Sequence, residues 1–143
     1  MADRMSFRFG THALPMADIA RGWVASRLSP QAFRCGNEAE LQKAIHDLLR
    51  KDLGLFGMIG REVPLSATDR IDFLIPTEDG GLGIEVKVDG STSAVARQLQ
   101  RYAESDRVTE LLLLTTLRRH APLDGTTLAG KPVHVLRLKG GFL

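Results

Sequence analysis

The sequence predicts an α/β fold in which a mixed β-sheet is flanked by helices. Apolar residues recur at helical spacing near 38–52 and near 93–105, and strand-like segments lie between these two stretches. Four consecutive leucines at 111–114, bounded by polar residues, fit a strand buried on both faces. Because a strand meander followed by a crossover helix returns the chain to the sheet in parallel, the sheet is expected to be mixed.

The first two predicted elements are helices. The first covers about 12–28. Its apolar positions are Leu14, Ile19, Trp23, Val24 and Leu28. The second covers about 38–52, with Asn37 as a suitable N-cap and Gly54 marking its end. Its apolar stripe is Leu41, Ile45, Leu48 and Leu49.

Strands and one more helix complete the prediction. Strands at 61–66 and 70–76 are joined at 67–69, and a turn at 77–81 leads to a third strand over 82–88. A helix over about 93–105 follows, then the leucine-rich strand at 108–116, a loop over 118–132 and a last strand at 133–138. The inner side of that helix is expected to carry Val95, Leu99, Tyr102 and Ala103.

Bulk properties indicate one domain, residues 1–143, of ordinary globular composition, with 43% hydrophobic and 25% charged residues. The single Cys35 excludes an internal disulfide and a cysteine-based zinc site. No apolar run approaches the roughly 18 residues of a membrane span, and the first residues lack the apolar region of a signal peptide. The expected location is therefore the cytoplasm, without a membrane partner.

Charge is unevenly distributed, although the net charge is only +2. Residues 1–37 hold five arginines against two acids, and residues 107–143 hold six basic residues against two acids. The centre, 38–106, holds thirteen acids against eight bases. Either these are solvated faces clustered by chance, or an acidic metal centre is framed by basic surface for a polyanion.

The most informative residues lie in Arg70-Ile-Asp72-Phe and Gly83-Ile-Glu85-Val-Lys87. Glu85 and Lys87 are two apart, so they project from the same face of a strand, and a hairpin partner can bring Asp72 beside them. Two carboxylates with an adjacent ammonium suit a divalent cation and phosphodiester chemistry. Taken singly, Asp72 could instead protect an edge strand, and Lys87 could form an ordinary ion pair with Glu85.

This order of elements and these residues resemble the PD-(D/E)XK nuclease superfamily over about 38–116. Asp72 stands at the first acidic position, Glu85-Val86-Lys87 matches the E-x-K motif, and Ile71 replaces the proline of the first motif. The resemblance implies a restriction-endonuclease-like αβββαβ core, to which 1–37 adds an N-terminal helix and 133–138 a C-terminal strand. It implies a metal-dependent deoxyribonuclease that hydrolyses phosphodiester bonds.

Two further matches extend the candidate site. Glu38 opens the second helix, where the family often supplies an extra carboxylate, whereas Glu40 falls on a more outward face; Glu38 could instead be a first-turn acid favoured by the helix dipole. Gln98 and Tyr102, four apart on one helix face, look like the Q-x-x-x-Y element of RecB-like nucleases. The alternative for this pair is an amphipathic helix with a partly buried tyrosine.

By this resemblance, Mg²⁺ or Mn²⁺ would be held by Asp72, Glu85, the Val86 carbonyl and Glu38. Lys87 would orient or help to deprotonate the attacking water and stabilise phosphoryl charge, and Gln98 would help to orient the site. Candidates for DNA contact, each of which could equally be solvated surface, are Arg97, Arg101, Tyr102, Arg70, Arg118 and Arg119. The histidines show no ligand spacing and are expected at the surface or in loops; they are His12, His46, His120 and His134.

Several alternatives stay open at this point. The spacing of Glu38, Asp72 and Glu85 also resembles archaeal-type Holliday junction resolvases, which are compact homodimers, whereas Gln98 and Tyr102 point to RecB-like or stand-alone repair and phage nucleases. A homodimer is therefore one expectation. The expected context is DNA repair, recombination, phage biology or defence. In a different class, the chain would be a non-catalytic nucleic-acid-binding module of the same fold, or a nuclease subunit that needs a partner chain.

Overall fold

The computed structural model describes residues 15–51 and 58–142. The helices are α1 (Ala17–Leu28), α2 (Glu38–Arg50), α3 (Thr92–Ala103) and a 3₁₀ helix (Arg118–Leu123). The strands are β1 (Ala32–Cys35), β2 (Gly60–Pro64), β3 (Arg70–Thr77), β4 (Gly80–Lys87), β5 (Glu110–Thr115), β6 (Thr127–Leu128), β7 (Lys131–Arg137) and β8 (Lys139–Phe142).

The central sheet is mixed. Within the described ranges its strands lie in the order β2-β3-β4-β5-β7-β6. β2, β3 and β4 form an antiparallel meander, whereas β4, β5 and β7 are parallel neighbours, and β6 is antiparallel to β7. β1 pairs with β8 in parallel, apart from this sheet. The predicted α/β class, with a mixed sheet between helices, is confirmed.

Helices cover both faces of the sheet. One apolar core joins α1 and α2 to side chains of β3, β4 and β5, and the other joins α3 to side chains of β3, β5 and β7. All six residues of β5 are buried, as the run of leucines predicts. No helix in the part of the chain that is described is long and apolar enough to span a membrane.

The helix bounds follow from local capping. The Asn37 side chain accepts a hydrogen bond from the Glu40 N–H at 2.9 Å, and a Glu40 carboxylate oxygen accepts one from the Gly36 N–H at 2.9 Å. This reciprocal arrangement satisfies amides that the first turn of α2 leaves unpaired, so Asn37 is confirmed as the N-cap. The Ser91 hydroxyl accepts from the Ala94 N–H and starts α3 in the same way.

Some predictions were wrong in detail. Ile19 is one of the apolar positions predicted for the first helix, but it is 56% exposed, and the small Ala17 and Ala20 are fully buried. The loop expected over 118–132 contains the 3₁₀ helix and β6, and β1 was not predicted. The first predicted helix residues, 12–14, and the predicted stop at Gly54 lie outside the described residues.

The expectation for the histidines was also wrong at His120. This residue lies in the 3₁₀ helix and is fully buried, with both ring nitrogens within hydrogen-bond distance of partners. His46 is half-buried on α2 and stacks on Phe73, with ring centroids 5.9 Å apart. His134 lies on β7, and its Nε2 is 3.8 Å from Glu110 Oε1. His12 lies outside the described residues.

Candidate active site

The pairing of β3 with β4 stops at the two predicted acids. The ladder runs from Thr77 opposite Gly80 to Phe73 opposite Ile84, one pair short of Asp72 and Glu85. There the side chains replace the backbone ladder: the Asp72 N–H donates to Glu85 Oε1 at 3.2 Å, and the Val86 N–H donates to Asp72 Oδ2 at 2.7 Å. The strands therefore hold both carboxylates side by side.

Glu85 lies inside the protein, at 3% exposure. The Tyr102 hydroxyl donates to the Arg70 carbonyl at 2.9 Å, accepts from Gln98 Nε2 at 2.7 Å and lies 3.5 Å from Glu85 Oε2. Burial, and then the negative charge of Glu85, raise the pKa of Tyr102, so its hydroxyl stays protonated. The structure thus joins the predicted Gln98 and Tyr102 by a hydrogen bond beside Glu85.

The contact of Tyr102 is internal. Its side chain is 2% exposed, so it meets the Arg70 carbonyl and Glu85 where the sequence suggested a nucleic-acid contact. Its position on α3 follows from spacing, since Val95, Leu99 and Tyr102 share the inward side of this helix. Tyr102 therefore fixes the distance between α3 and the end of the β3–β4 pair.

Lys87 shares the strand face of Glu85. Its Nζ lies 3.5 Å from Glu85 Oε2, and its side chain keeps 19% exposure. Val86, between them, points into the opposite core and is fully buried. The Lys87 side chain is therefore partly open to solvent, whereas Glu85 is not.

Glu38 approaches from α2. Its Oε1 accepts a hydrogen bond at 3.3 Å from the N–H of Val88, the residue after β4, and its negative charge acts on Asp72. Glu40, the competing acid, is engaged in the cap of α2. The structure therefore brings Glu38 to the same end of β4 as Lys87, whereas Glu40 does not take part in the candidate site.

Electrostatics set the protonation of the carboxylate pair. Burial raises the pKa of Glu85 to about 8, with the charge of Asp72 adding to the effect and Lys87 opposing it. Burial likewise raises the pKa of Asp72 to about 6, against the hydrogen bond from Val86. Near neutral pH the pair keeps a proton, because the buried Glu85 and the half-buried Asp72 lack enough positive charge nearby.

A divalent cation fits this donor set by its chemistry. Two close carboxylate oxygens are hard ligands of the kind preferred by Mg²⁺ and Mn²⁺, and such an ion would supply the positive charge that the pair lacks. Among residues 15–51 and 58–142, no group of three or more His, Cys, Asp or Glu side chains is arranged to hold a metal ion. The fit therefore rests on Asp72 and Glu85.

The predicted basic residues lie in different places. Arg97 and Arg101 line a surface groove of α3 with Leu128, and Arg101 pairs with Asp69 at 3.1 Å. Arg70 is exposed at the start of β3. Arg101 is thus engaged with Asp69, whereas Arg70 lies two residues before Asp72 on β3.

Arg118 and Arg119 open the 3₁₀ helix after β5 and are exposed. Arg119 Nε donates to the Gly90 carbonyl at 2.9 Å, three residues beyond Lys87. Arg119 is therefore held next to the turn that follows the candidate site, and Arg118 is beside it.

Sequence reasoning missed a buried support of that turn. The Thr115 hydroxyl lies 2.7 Å from His120 Nδ1 and accepts from the Leu117 N–H, while His120 Nε2 lies 2.9 Å from the Gly90 carbonyl. Since Gly90 O can only accept, Nε2 carries the proton and Thr115 donates to Nδ1. The spacing of residues gave no signal for the contact between His120 and Gly90, because these two residues are thirty positions apart.

Comparisons with known proteins do not place the chain in a family. No family model matches it, and no curated protein or solved structure matches it either.

Proposed function

We propose that the chain is a metal-dependent nuclease that hydrolyses phosphodiester bonds in DNA. The observation that carries the proposal is the opened end of the β3–β4 pair, where Asp72 and Glu85 face each other beside Lys87. A buried like-charge pair destabilises a fold unless a cation or a proton compensates it, so packing alone gives no reason for this arrangement.

The order of elements supports the same proposal. From α2 through β2, β3, β4, α3 and β5, the chain follows the αβββαβ order of a restriction-endonuclease-like core. Asp72, the E-x-K triplet and the Gln98–Tyr102 pair occupy the expected elements within it. We propose this finer fold assignment on the order of elements and on these residues together.

Each residue of the candidate site has a proposed role in this reaction. Asp72, Glu85, the Val86 carbonyl and Glu38 would hold Mg²⁺ or Mn²⁺. When bound, such an ion lowers the pKa of water and neutralises phosphoryl charge. Lys87 orients the attacking water and stabilises the charge that builds on the phosphoryl oxygens. Water attacks phosphorus and loses a proton, the bond to the 3′-oxygen breaks, and the leaving oxygen takes a proton from water, so a 5′-phosphate and a 3′-hydroxyl end would result.

The remaining residues position these groups. Tyr102, held by Gln98 and the Arg70 carbonyl, keeps Glu85 against β3. Arg70, Arg97, Arg101, Arg118 and Arg119 are exposed and are proposed to contact the DNA backbone. The proposal includes a homodimer as one arrangement in which two such sites act on one DNA.

The test is cleavage of a labelled panel of single-stranded, duplex, flap and four-way-junction DNA, and of RNA. Each substrate is incubated with Mg²⁺, Mn²⁺ or EDTA. Glu85→Ala is the site variant, and Glu104→Ala, an exposed acid after α3, is the matched control. We expect cutting that needs a divalent cation, disappears in Glu85→Ala and persists in Glu104→Ala.

Other outcomes point elsewhere. Cutting that survives in folded Glu85→Ala would mean that the activity does not come from this site. Folded protein that binds DNA without cutting any substrate would favour a non-catalytic binding module or a subunit that needs a partner chain. Preferred cutting of the four-way junction would favour a resolvase, and preferred cutting of single strands a repair-type nuclease.

A further inference from the structure

Three parallel strands end at the same edge of the sheet as the candidate site. Lys87 on β4 is in register with Thr115 on β5, and Thr115 is in register with Arg137 on β7. Residues in register on neighbouring strands point to the same face, so Lys87 and Arg137 belong to one row across the edge. Two strand spacings of about 4.8 Å place them about 10 Å apart.

A pocket opens at the far end of this row. It has a volume of about 290 Å³ and is lined by Thr116, Arg137, Leu138, Lys139 and Gly140. Arg137 and Lys139 are exposed, and within the described part of the chain neither side chain takes part in an ion pair or hydrogen bond. The charged side chains of Arg137 and Lys139, beside the Thr116 hydroxyl, are groups of the kind that bind phosphate oxygens.

The backbone on both sides of Lys139 is closely constrained. Gly140 has φ +124, and a Cβ there would lie 1.8 Å from the Phe33 carbonyl oxygen, so β8 passes β1 as closely as glycine alone allows. The Leu138 N–H donates to the Thr115 carbonyl at 2.7 Å. Lys139 lies between Leu138 and Gly140, so the exposed Lys139 side chain begins at a backbone position that both neighbours constrain.

We propose that the pocket of Arg137 and Lys139 binds a backbone phosphate of the nucleic acid strand that is cleaved beside Lys87. Successive phosphates of one duplex strand are about 7 Å apart through space, because the strand winds around the axis as it rises 3.4 Å per step, so about 10 Å places the bound phosphate about one or two nucleotides from the cleaved one. Arg118, exposed just after β5, lies along the same edge. This inference rests on the proposed nuclease function.

The test measures binding without cutting. Fluorescent single-stranded DNA, duplex DNA and RNA are titrated in EDTA at several KCl concentrations, with wild type and the double variant Arg137→Ala with Lys139→Ala. Arg50→Ala with Lys51→Ala removes the same charge about 18 Å along α2 from Glu38 and is the matched control. Circular dichroism checks folding, and Lys139→Gln provides a milder variant.

We expect the pocket variant to bind about fivefold more weakly at 0.15 M KCl and to lower the salt slope by about 1, with the control unchanged. The DNA and RNA arms show which strand the pocket prefers. Among cleaved substrates, trimming one side until no phosphate remains beyond the cleaved one should abolish the difference from wild type.

Two results would overturn the inference in distinguishable ways. Wild type that binds and cuts DNA, with equal binding by the pocket variant or equal losses in the control, would reject the pocket and leave the nuclease proposal intact. Wild type that neither binds nor cuts any strand would reject both.

Discussion

The stability of the protein should fall between pH 5 and pH 8 because of one buried carboxyl. Folding raises the pKa of Glu85 from 4.5 to about 8, through burial and then through the charge of Asp72. In this interval the folded state therefore binds more protons than the unfolded chain, and the free energy of unfolding decreases as the pH rises. Over the span from 4.5 to 7 the decrease amounts to about 3 kcal/mol at 1.36 kcal/mol per pKa unit.

The perturbation that tests this reasoning is Glu85→Gln, which keeps the shape and removes the charge. We expect the variant to be more stable than wild type at pH 8 and nearly equal to it at pH 4.5. Urea unfolding at pH values from 4.5 to 8.5 gives both curves. Their difference cancels independent groups that both proteins share, such as His46, whose pKa burial lowers. Asp72 does not cancel, because it titrates together with Glu85, so the difference reports on the pair. Glu104→Gln, an exposed change of the same kind, is the control.

A clear result would contradict the reasoning. If the two stability curves stay parallel across the whole range, Glu85 is ionised in the folded protein without cost. The carboxylate pair would then have enough compensating charge, and the argument for a cation between the strands would lose its electrostatic basis.

Three further predictions concern neighbouring groups. Lys87→Ala should keep the fold and lower the cleavage rate by at least about 100-fold, since it removes charge stabilisation; retained cleavage in a gel assay would reject this role. Tyr102→Phe should lower the free energy of unfolding by about 1 to 3 kcal/mol, because it leaves the Arg70 carbonyl without its donor; unchanged urea midpoints would contradict this. Thr115→Val should cost a similar amount by removing the partner of His120, whereas Thr115→Ser should not.

Local signals explain most of what could be predicted from sequence. Asn37 and Ser91 cap their helices through contacts three residues away, and the leucines of β5 are buried because the sheet covers both their sides. The pairing of Asp72 with Glu85 could be predicted in the same way, because the two residues are only thirteen positions apart and lie on strands joined by a hairpin turn.

Long-range contacts explain what was missed. β1 exists because β8, a hundred residues later, pairs with it, and nothing within 32–35 indicates this. The burial of His120 depends in part on the Gly90 carbonyl, thirty residues earlier, which accepts a hydrogen bond from its Nε2, while Thr115 on β5 bonds to its Nδ1. The opened ladder at Asp72 is equally invisible in sequence, because it depends on where two side chains displace backbone pairing.

Adding a divalent cation gives a second test of the pH dependence predicted for Glu85. If Mg²⁺ binds between Asp72 and Glu85, it competes with the proton that the pair retains, so its stabilising effect should be larger at pH 8 than at pH 6. At a concentration of 100 times the dissociation constant the gain is about 2.7 kcal/mol, enough to offset most of the cost worked out above. Wild type in Mg²⁺ should thus lose its decline in stability with pH, and Glu85→Gln should not respond. Equal stabilisation of both proteins would place the cation elsewhere, and the pair would then need another explanation.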